Sequence, residues 1–272
     1  MERIKQALDK AKAERGAQGT HAITPMPGHG QNAQPPISGA SIQYSQTRVT
    51  TLDAGHLARH HVIAGESDRV GLTAYKMLRT QVMQRMAARG WNALAVTSPA
   101  PEDGKTLTSI NLAISLAREL NRTVLLVDMD LRHPSIHRYF GFKPAKGIGD
   151  FLLGDAQISE VMVNPGIDRL VIMPGREPVL NSSEILASQA MGSLVHELKT
   201  RYPSRMVLFD LPPVLSTDDA LAFAPYADAF LLVIRDGKNT EDELERTMEI
   251  MKDIPIIGTV LNATEEKLSS YY

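Results

Sequence analysis

The chain of 272 residues contains no cysteine, which excludes disulfides, thiolate metal sites and cysteine nucleophiles and gives no support to an oxidising compartment. An excess of either charge is also missing. The 29 basic and 31 acidic side chains leave a formal net charge of -2, whereas neutralising a phosphate backbone needs a clustered basic surplus, so no nucleic-acid partner is expected. No stretch approaches the roughly 18 uninterrupted apolar residues of a membrane span. The opening MERIKQALDKAKAERG has no apolar core of a signal peptide, so a cytoplasmic protein is expected. Apolar residues at 43% and charged residues at 22% are near the average for globular chains and suffice for a full core.

Met1 to about Arg15 can form a short helix with Ile4, Leu8 and Ala11 on one side, marginal unless it finds a partner. From Gly16 to about Gln46 the chain is rich in Gly, Pro, Gln and Ser and almost uncharged. Such a stretch cannot bury enough surface to offset its ordering entropy and is expected to be a flexible linker. A short strand is expected around Arg48 to Leu52. His56, His60 and His61 have no further ligand at a zinc spacing and are expected to be solvated.

The texture changes at Leu72, where Leu72, Tyr75, Leu78, Val82, Met83 and Met86 recur at helical spacing up to Gly90. Apolar, β-branched runs then predict strands at Ala93 to Thr97, Thr123 to Asp128, Arg169 to Met173, Arg205 to Asp210, Ala229 to Arg235 and Ile256 to Asn262. Helices are predicted between them at about Lys105 to Leu120, Ser183 to Thr200, Ser216 to Ala224 and Thr240 to Lys252. Strands this apolar, separated by helices, belong to a mostly parallel sheet covered on both faces, an α/β doubly wound fold. The expected division is an N-terminal extension at 1–70, a globular domain at 71–262 and a polar tail at 263–272.

The first of these strands runs into PAPEDGKT and then a helix. Unpaired N–H groups and the positive end of the helix dipole converge at such a junction, making a phosphate cradle. Gly104 lets the backbone approach phosphates, Lys105 offers a positive charge, and Thr106 can place its hydroxyl on magnesium. The full G-x-x-x-x-G-K-[ST] pattern is not met, because Pro99 stands at its first glycine. The second strand ends in LLVDMDLRHP and the fourth in MVLFDLPPV, delivering Asp128, Asp130 and Asp210 to strand C-termini, where open α/β sheets form their ligand crevice. Asp130 also suits a turn before Pro134. Three carboxylates beside a Gly-Lys-Thr loop form a setting for a magnesium nucleotide.

These segments resemble the Walker A, A' and B motifs of the bacterial tyrosine kinases of the CpsD/CapB type, P-loop proteins that accompany capsule and exopolysaccharide synthesis. VDMDLR is similar to their apolar-D-x-D-x-R motif and LFDLPP to their apolar-D-x-P-P motif. KGIGDFLLG, MPGREPVLNSSEIL and DDALAFAPYADAFLLVIRDGKNT also fit, so the likeness covers about Leu72 to Asn262.

The resemblance implies an autokinase that moves phosphate from ATP, with magnesium, to tail tyrosines of a neighbouring copy. Lys105 and Thr106 would take the Walker A roles, within a cradle of Pro101, Glu102, Asp103, Gly104 and Leu107. Asp128 and Asp130 would serve as base and metal organisers, and Asp210 as the Walker B metal ligand. Arg132 would hold a phosphate or a partner carboxylate, and Asn262 sits where related proteins read the purine. Tyr271 and Tyr272 would be the acceptors. The implied partners are further copies of the chain and a membrane-embedded polysaccharide co-polymerase that activates the kinase and recruits it to the inner face of the membrane.

Two departures stand out. The family's E-x-x-R-x-x-R helix appears as Thr73, Lys76 and Arg79, and Glu102 replaces a usual glycine. A side chain there, beside Asp103, brings negative charge towards the triphosphate unless, as expected, both carboxylates point outward to solvent. A partition-type ATPase and a catalytically silent nucleotide-binding module remain as alternatives, although the acidic tail lacks the basic amphipathic helix of the former.

Overall fold

The computed structural model describes residues 48–64, 69–202 and 204–264. The expected helix at 1–15, the linker and the two tail tyrosines lie outside these residues.

Six strands form where the apolar runs predict them: β2 (Ala93–Thr97), β3 (Thr123–Asp128), β5 (Leu170–Met173), β6 (Arg205–Asp210), β7 (Ala229–Arg235) and β8 (Ile256–Asn262). Two-residue strands, β1 (Arg48–Val49) and β4 (Val163–Asn164), complete an eight-stranded sheet in the order β1-β4-β5-β3-β6-β2-β7-β8. The β4–β5 pair is antiparallel and all other pairs are parallel. Side chains alternate across the sheet. Val124 and Leu126 of β3 enter one apolar layer, while Leu125 and Val127 enter the opposite one.

The longer helices are α1 (Ala54–Arg59), α2 (Arg69–Ala87), α3 (Lys105–Ala117), α4 (Gln189–Thr200) and α5 (Glu241–Ile250). Sheet and α2 enclose α3, which buries Ile110, Leu112, Ile114 and Leu116. On the other face α4 buries Met191, Leu194, Val195 and Leu198 at helical spacing. The helix predicted from Ser183 to Thr200 is two helices, Ser182–Leu186 and α4. Ser188 separates them, its hydroxyl accepting the Met191 N–H at 3.2 Å as the cap of α4. The apolar pattern runs through this break and hides it.

The packed unit also begins earlier than the change of texture at Leu72. Leu57 and Val62 are buried in the core. Asn111 of α3 accepts the Ile63 N–H at 2.8 Å and donates to the His61 carbonyl at 3.0 Å, fastening this segment to the sheet layer. His56 is not simply solvated: its ring bonds the Arg138 carbonyl at 2.8 Å and stacks on His60.

Candidate active site

The three central strands of the sheet determine where the chemistry-bearing residues meet. β6 lies between β3 and β2, and the register pairs Asp128 with Asp210 and Val96 with Asp210. In-register residues on adjacent parallel strands share a face, so the two buried carboxylates stand side by side at the C-terminal edge. The chain leaving β2 turns through residues 98–104 into α3, where Gly104 adopts φ +95. A Cβ there would overlap the Asn262 side-chain amide. This position requires glycine for both conformation and space.

Lys105 Nζ donates to Asp130 Oδ2 at 2.8 Å and to Thr106 Oγ1 at 3.2 Å, and lies 3.8 Å from Asp210 Oδ2. Asp210 is held from two further sides, accepting from Thr106 Oγ1 at 2.6 Å and Ser109 Oγ at 3.0 Å. Asp128 Oδ2 takes the Ser135 and Ile136 N–H groups at 3.0 and 3.1 Å, while its buried Oδ1 has no hydrogen-bond partner among the described residues. Thus Lys105, Thr106, Asp128, Asp130 and Asp210 converge in one crevice.

Their electrostatics follow from burial and crowding. Burial, then the neighbouring Asp210 charge, pushes the Asp128 carboxyl up to about 7, against the Ile136 N–H bond and Lys105. Burial also raises Asp210, although Lys105 and Thr106 oppose it. Burial alone would lower the Lys105 ammonium, but Asp210 and Asp130 outweigh it and hold the proton more firmly than in water.

One lysine against three carboxylates leaves a formal negative excess, and the unpartnered Asp128 oxygen is an acceptor awaiting a cationic or protonated group. Among the described residues no three acidic or imidazole groups are close enough to chelate an ion by themselves. That donor set suits magnesium better than zinc or calcium. Magnesium keeps several waters and takes its remaining ligands from one or two carboxylates and substrate phosphates. The first turn of α3 leaves the N–H groups of Lys105, Thr106 and Leu107 without intrahelical acceptors, at the helix end whose Lys105 and Thr106 side chains enter the crevice.

The two acids of the loop behave differently from each other. Glu102 sits at φ +66, in the left-handed region, which accounts physically for a glycine preference at this position. Its side chain is 86% exposed. Asp103 is turned inward instead of outward to solvent. Its Oδ2 accepts the Ala100 N–H at 2.8 Å and the Asn239 amide at 3.0 Å, and Lys238 approaches its Oδ1 at 3.5 Å. Asp103 therefore braces the loop from behind. Lys238 also donates to the Pro101 carbonyl and Arg235 to that of Glu102. Asn262 donates to the Asp103 carbonyl at 2.8 Å, so its amide is engaged by the loop.

Arg132 is committed to Asp219, with Nε to Oδ2 at 3.1 Å, and Ser182 donates to the same buried carboxylate at 2.7 Å. Arg79, in the place of the last arginine of E-x-x-R-x-x-R, pairs with Glu119 at 3.1 Å.

Sequence inspection missed Ser109, Arg235, Lys238 and Asn239. Ser109 was within reach, being four residues after Lys105 on the same helix face. The turn at 235–239 lies in a stretch that fits the resembled family, but nothing local tied its side chains to the 101–103 loop, because those contacts span about half the chain.

A protein-family profile described as AAA domain matches residues 102–255. The chain is 32% identical over 241 residues to a putative tyrosine-protein kinase EpsB of Ralstonia nicotianae, covering 87% of this chain and 31% of that protein. It is 28% identical over 217 residues to tyrosine-protein kinase YwqD of Bacillus subtilis, covering 79% of this chain and 90% of that one. The chain thus spans about a third of the Ralstonia relative and most of the Bacillus one. Among solved structures, the kinase domain of Escherichia coli tyrosine kinase ETK superposes with a TM-score of 0.67 at 28% identity, covering 74% of this chain and 78% of that one.

Proposed function

This chain belongs to the AAA domain family, within its bacterial tyrosine kinases, and from that premise we propose that it transfers the terminal phosphoryl group of ATP to tyrosines of a neighbouring copy. The convergence of Lys105, Thr106, Asp128, Asp130 and Asp210 in one crevice supports this most directly.

In the proposed reaction the tyrosine oxygen forms a bond to the γ-phosphorus, the bond from that phosphorus to the β,γ-bridging oxygen breaks, and ADP leaves with the electron pair. The phenolic proton passes to Asp128, the carboxylate with a buried, unpartnered oxygen. A phenol ordinarily titrates near 10, so a carboxylate raised to about 7 is a better match as general base than an ordinary aspartate. Lys105 would exchange its Asp130 contact for the phosphates, bringing positive charge to oxygens that become more negative during transfer.

Thr106 and one or two of the carboxylates Asp128, Asp130 and Asp210 would hold magnesium through oxygen. When bound, the ion supplies charge neutralisation across the phosphates. Gly104 and the α3 N-terminus cradle the phosphate oxygens, and Asp103, Lys238 and Asn262 hold that cradle in shape. Catalysis by such a site is mostly positioning and electrostatics.

The proposed acceptors are Tyr271 and Tyr272. The proposed setting is the control of exopolysaccharide polymerisation or export, with homo-oligomers activated at the membrane by an embedded co-polymerase partner. No helix among the described residues is long and apolar enough to cross a membrane. Incubating the full chain with ATP and magnesium and locating phosphate by mass spectrometry tests the proposal. Phosphotyrosine at 271 or 272 is expected. ATP hydrolysis without phosphotyrosine would favour the partition-type alternative.

A further inference from the structure

At the opposite edge of the sheet from the crevice, a cavity of about 390 Å³ opens where α2 ends and β8 begins, lined by Arg85, Arg89, Trp91, Pro255, Ile256 and Ile257. None of these residues is acidic, and both arginines are held in place. The Arg85 guanidinium donates to the Ile257 carbonyl, and a Cβ at Gly258 would come within 2.5 Å of its Nη1, so a glycine makes the approach possible. Arg89 stacks over Trp91, 4.9 Å from the ring centroid.

Among the described residues neither guanidinium forms an ion pair. Asp228, at the start of β7, is taken up by Lys199 and by the N–H groups of Asn92 and Ala93. Two guanidinium groups without counter-charges, beside an indole and a proline-isoleucine wall, match a ligand that carries a phosphate on a planar apolar group.

We propose that this cavity binds phosphotyrosine, and that its occupant is the phosphorylated segment following Asn262 of the same or a second copy. Reach allows both. From Ile257 to Asn262 the strand rises about 17 Å, whereas the ten residues after Asn262 extend about 33 Å at ~3.3 Å each. Phosphorylation would add roughly -3 to -4 charges to a segment already carrying Glu265 and Glu266. A carboxylate-lined crevice repels that product, and an arginine pair attracts it. The cavity therefore provides a separate station for the phosphorylated segment. The proposal rests on the tyrosine-kinase reading only for the origin of the phosphate.

Trp91 is the one tryptophan of the chain, so its emission reports on this cavity directly. The full-length Lys105→Met protein, which should carry no phosphate, is titrated with the peptide EEKLSSYY, either synthesised with both tyrosines phosphorylated or unmodified. The phosphopeptide should change the emission saturably and bind at least about tenfold more tightly than the unmodified peptide. Arg89→Gln and Arg85→Gln should each weaken it about tenfold while ATP binding stays unchanged. If Arg85→Gln unfolds the protein, Arg89→Gln alone decides.

Equal affinities for the two peptides, or an Arg89→Gln protein that binds as before, would overturn the proposal. So would inorganic phosphate or phosphatidylglycerol vesicles binding as tightly as the phosphopeptide. Because the phosphate is installed chemically, the two failures separate. A protein that binds the peptide yet never phosphorylates itself refutes the kinase reading alone, and an active kinase that ignores the peptide refutes the cavity alone.

Discussion

Replacing Asp128 by asparagine should stabilise the nucleotide-free protein above neutral pH and flatten its pH dependence. Asp128 is fully buried beside Asp210, and its carboxyl is pushed up to about 7 from an ordinary 3.8. A carboxyl raised on folding adds its stabilising contribution in full below the unfolded value and loses it as pH rises through the folded one, so the loss falls between about pH 4 and 7. Between pH 5 and 8 the cost amounts to about 2–3 kcal/mol, from 1.36 kcal/mol per pKa unit. For a domain of this size that corresponds to roughly 5–10 °C in Tm.

Asparagine has nearly the same shape. Its oxygen can accept the Ser135 and Ile136 N–H groups that Asp128 Oδ2 now accepts, and its amide replaces the unpartnered Oδ1. The variant should therefore fold. Thermal unfolding of both proteins from pH 5 to 8 without nucleotide is the assay, with a steeper decline expected for the wild type. Parallel curves would refute the claim that a buried, crowded Asp128 carries this penalty.

Lys105→Met should abolish tail phosphorylation and leave the circular dichroism spectrum unchanged, since Lys105 caps the crevice and supports no core contact; undiminished phosphotyrosine would end its assigned role. Gly104→Ala should cost about 1–3 kcal/mol through its positive φ and the clash with Asn262, and lower ATP affinity in calorimetry; wild-type affinity would show that the loop tolerates a Cβ. Asp103→Ala removes the acceptor for Ala100 N–H and for Asn239, and should cost about 1–3 kcal/mol in denaturant unfolding. An unchanged midpoint would mean the brace contributes nothing.

Most of the sheet was legible because its strands are long apolar runs. β3 and β6 each bring four apolar residues to a terminal aspartate, and that alone placed Asp128 and Asp210 at one edge. The two-residue strand β4 is too short for any periodicity, and although β1 forms within the short strand expected at Arg48 to Leu52, the segment around Leu57 and Val62 that follows it read as extension and not as core. The crevice was legible residue by residue, but its support was not. Asp103 read as a solvent-facing loop acid because its partners, Lys238 and Asn239, lie beyond five further strands in the chain. Glu102 does face outward as expected, whereas its left-handed backbone conformation emerges only from the folded loop.

The most direct measurement is a crystal structure of the full chain with magnesium and a non-hydrolysable ATP analogue. The account predicts triphosphate density against the Gly104 to Thr106 backbone, Lys105 Nζ moved from Asp130 onto the phosphates, and the metal beside Thr106 and Asp210. Density bound elsewhere, or a Lys105 still paired with Asp130 beside an occupied site, would contradict it.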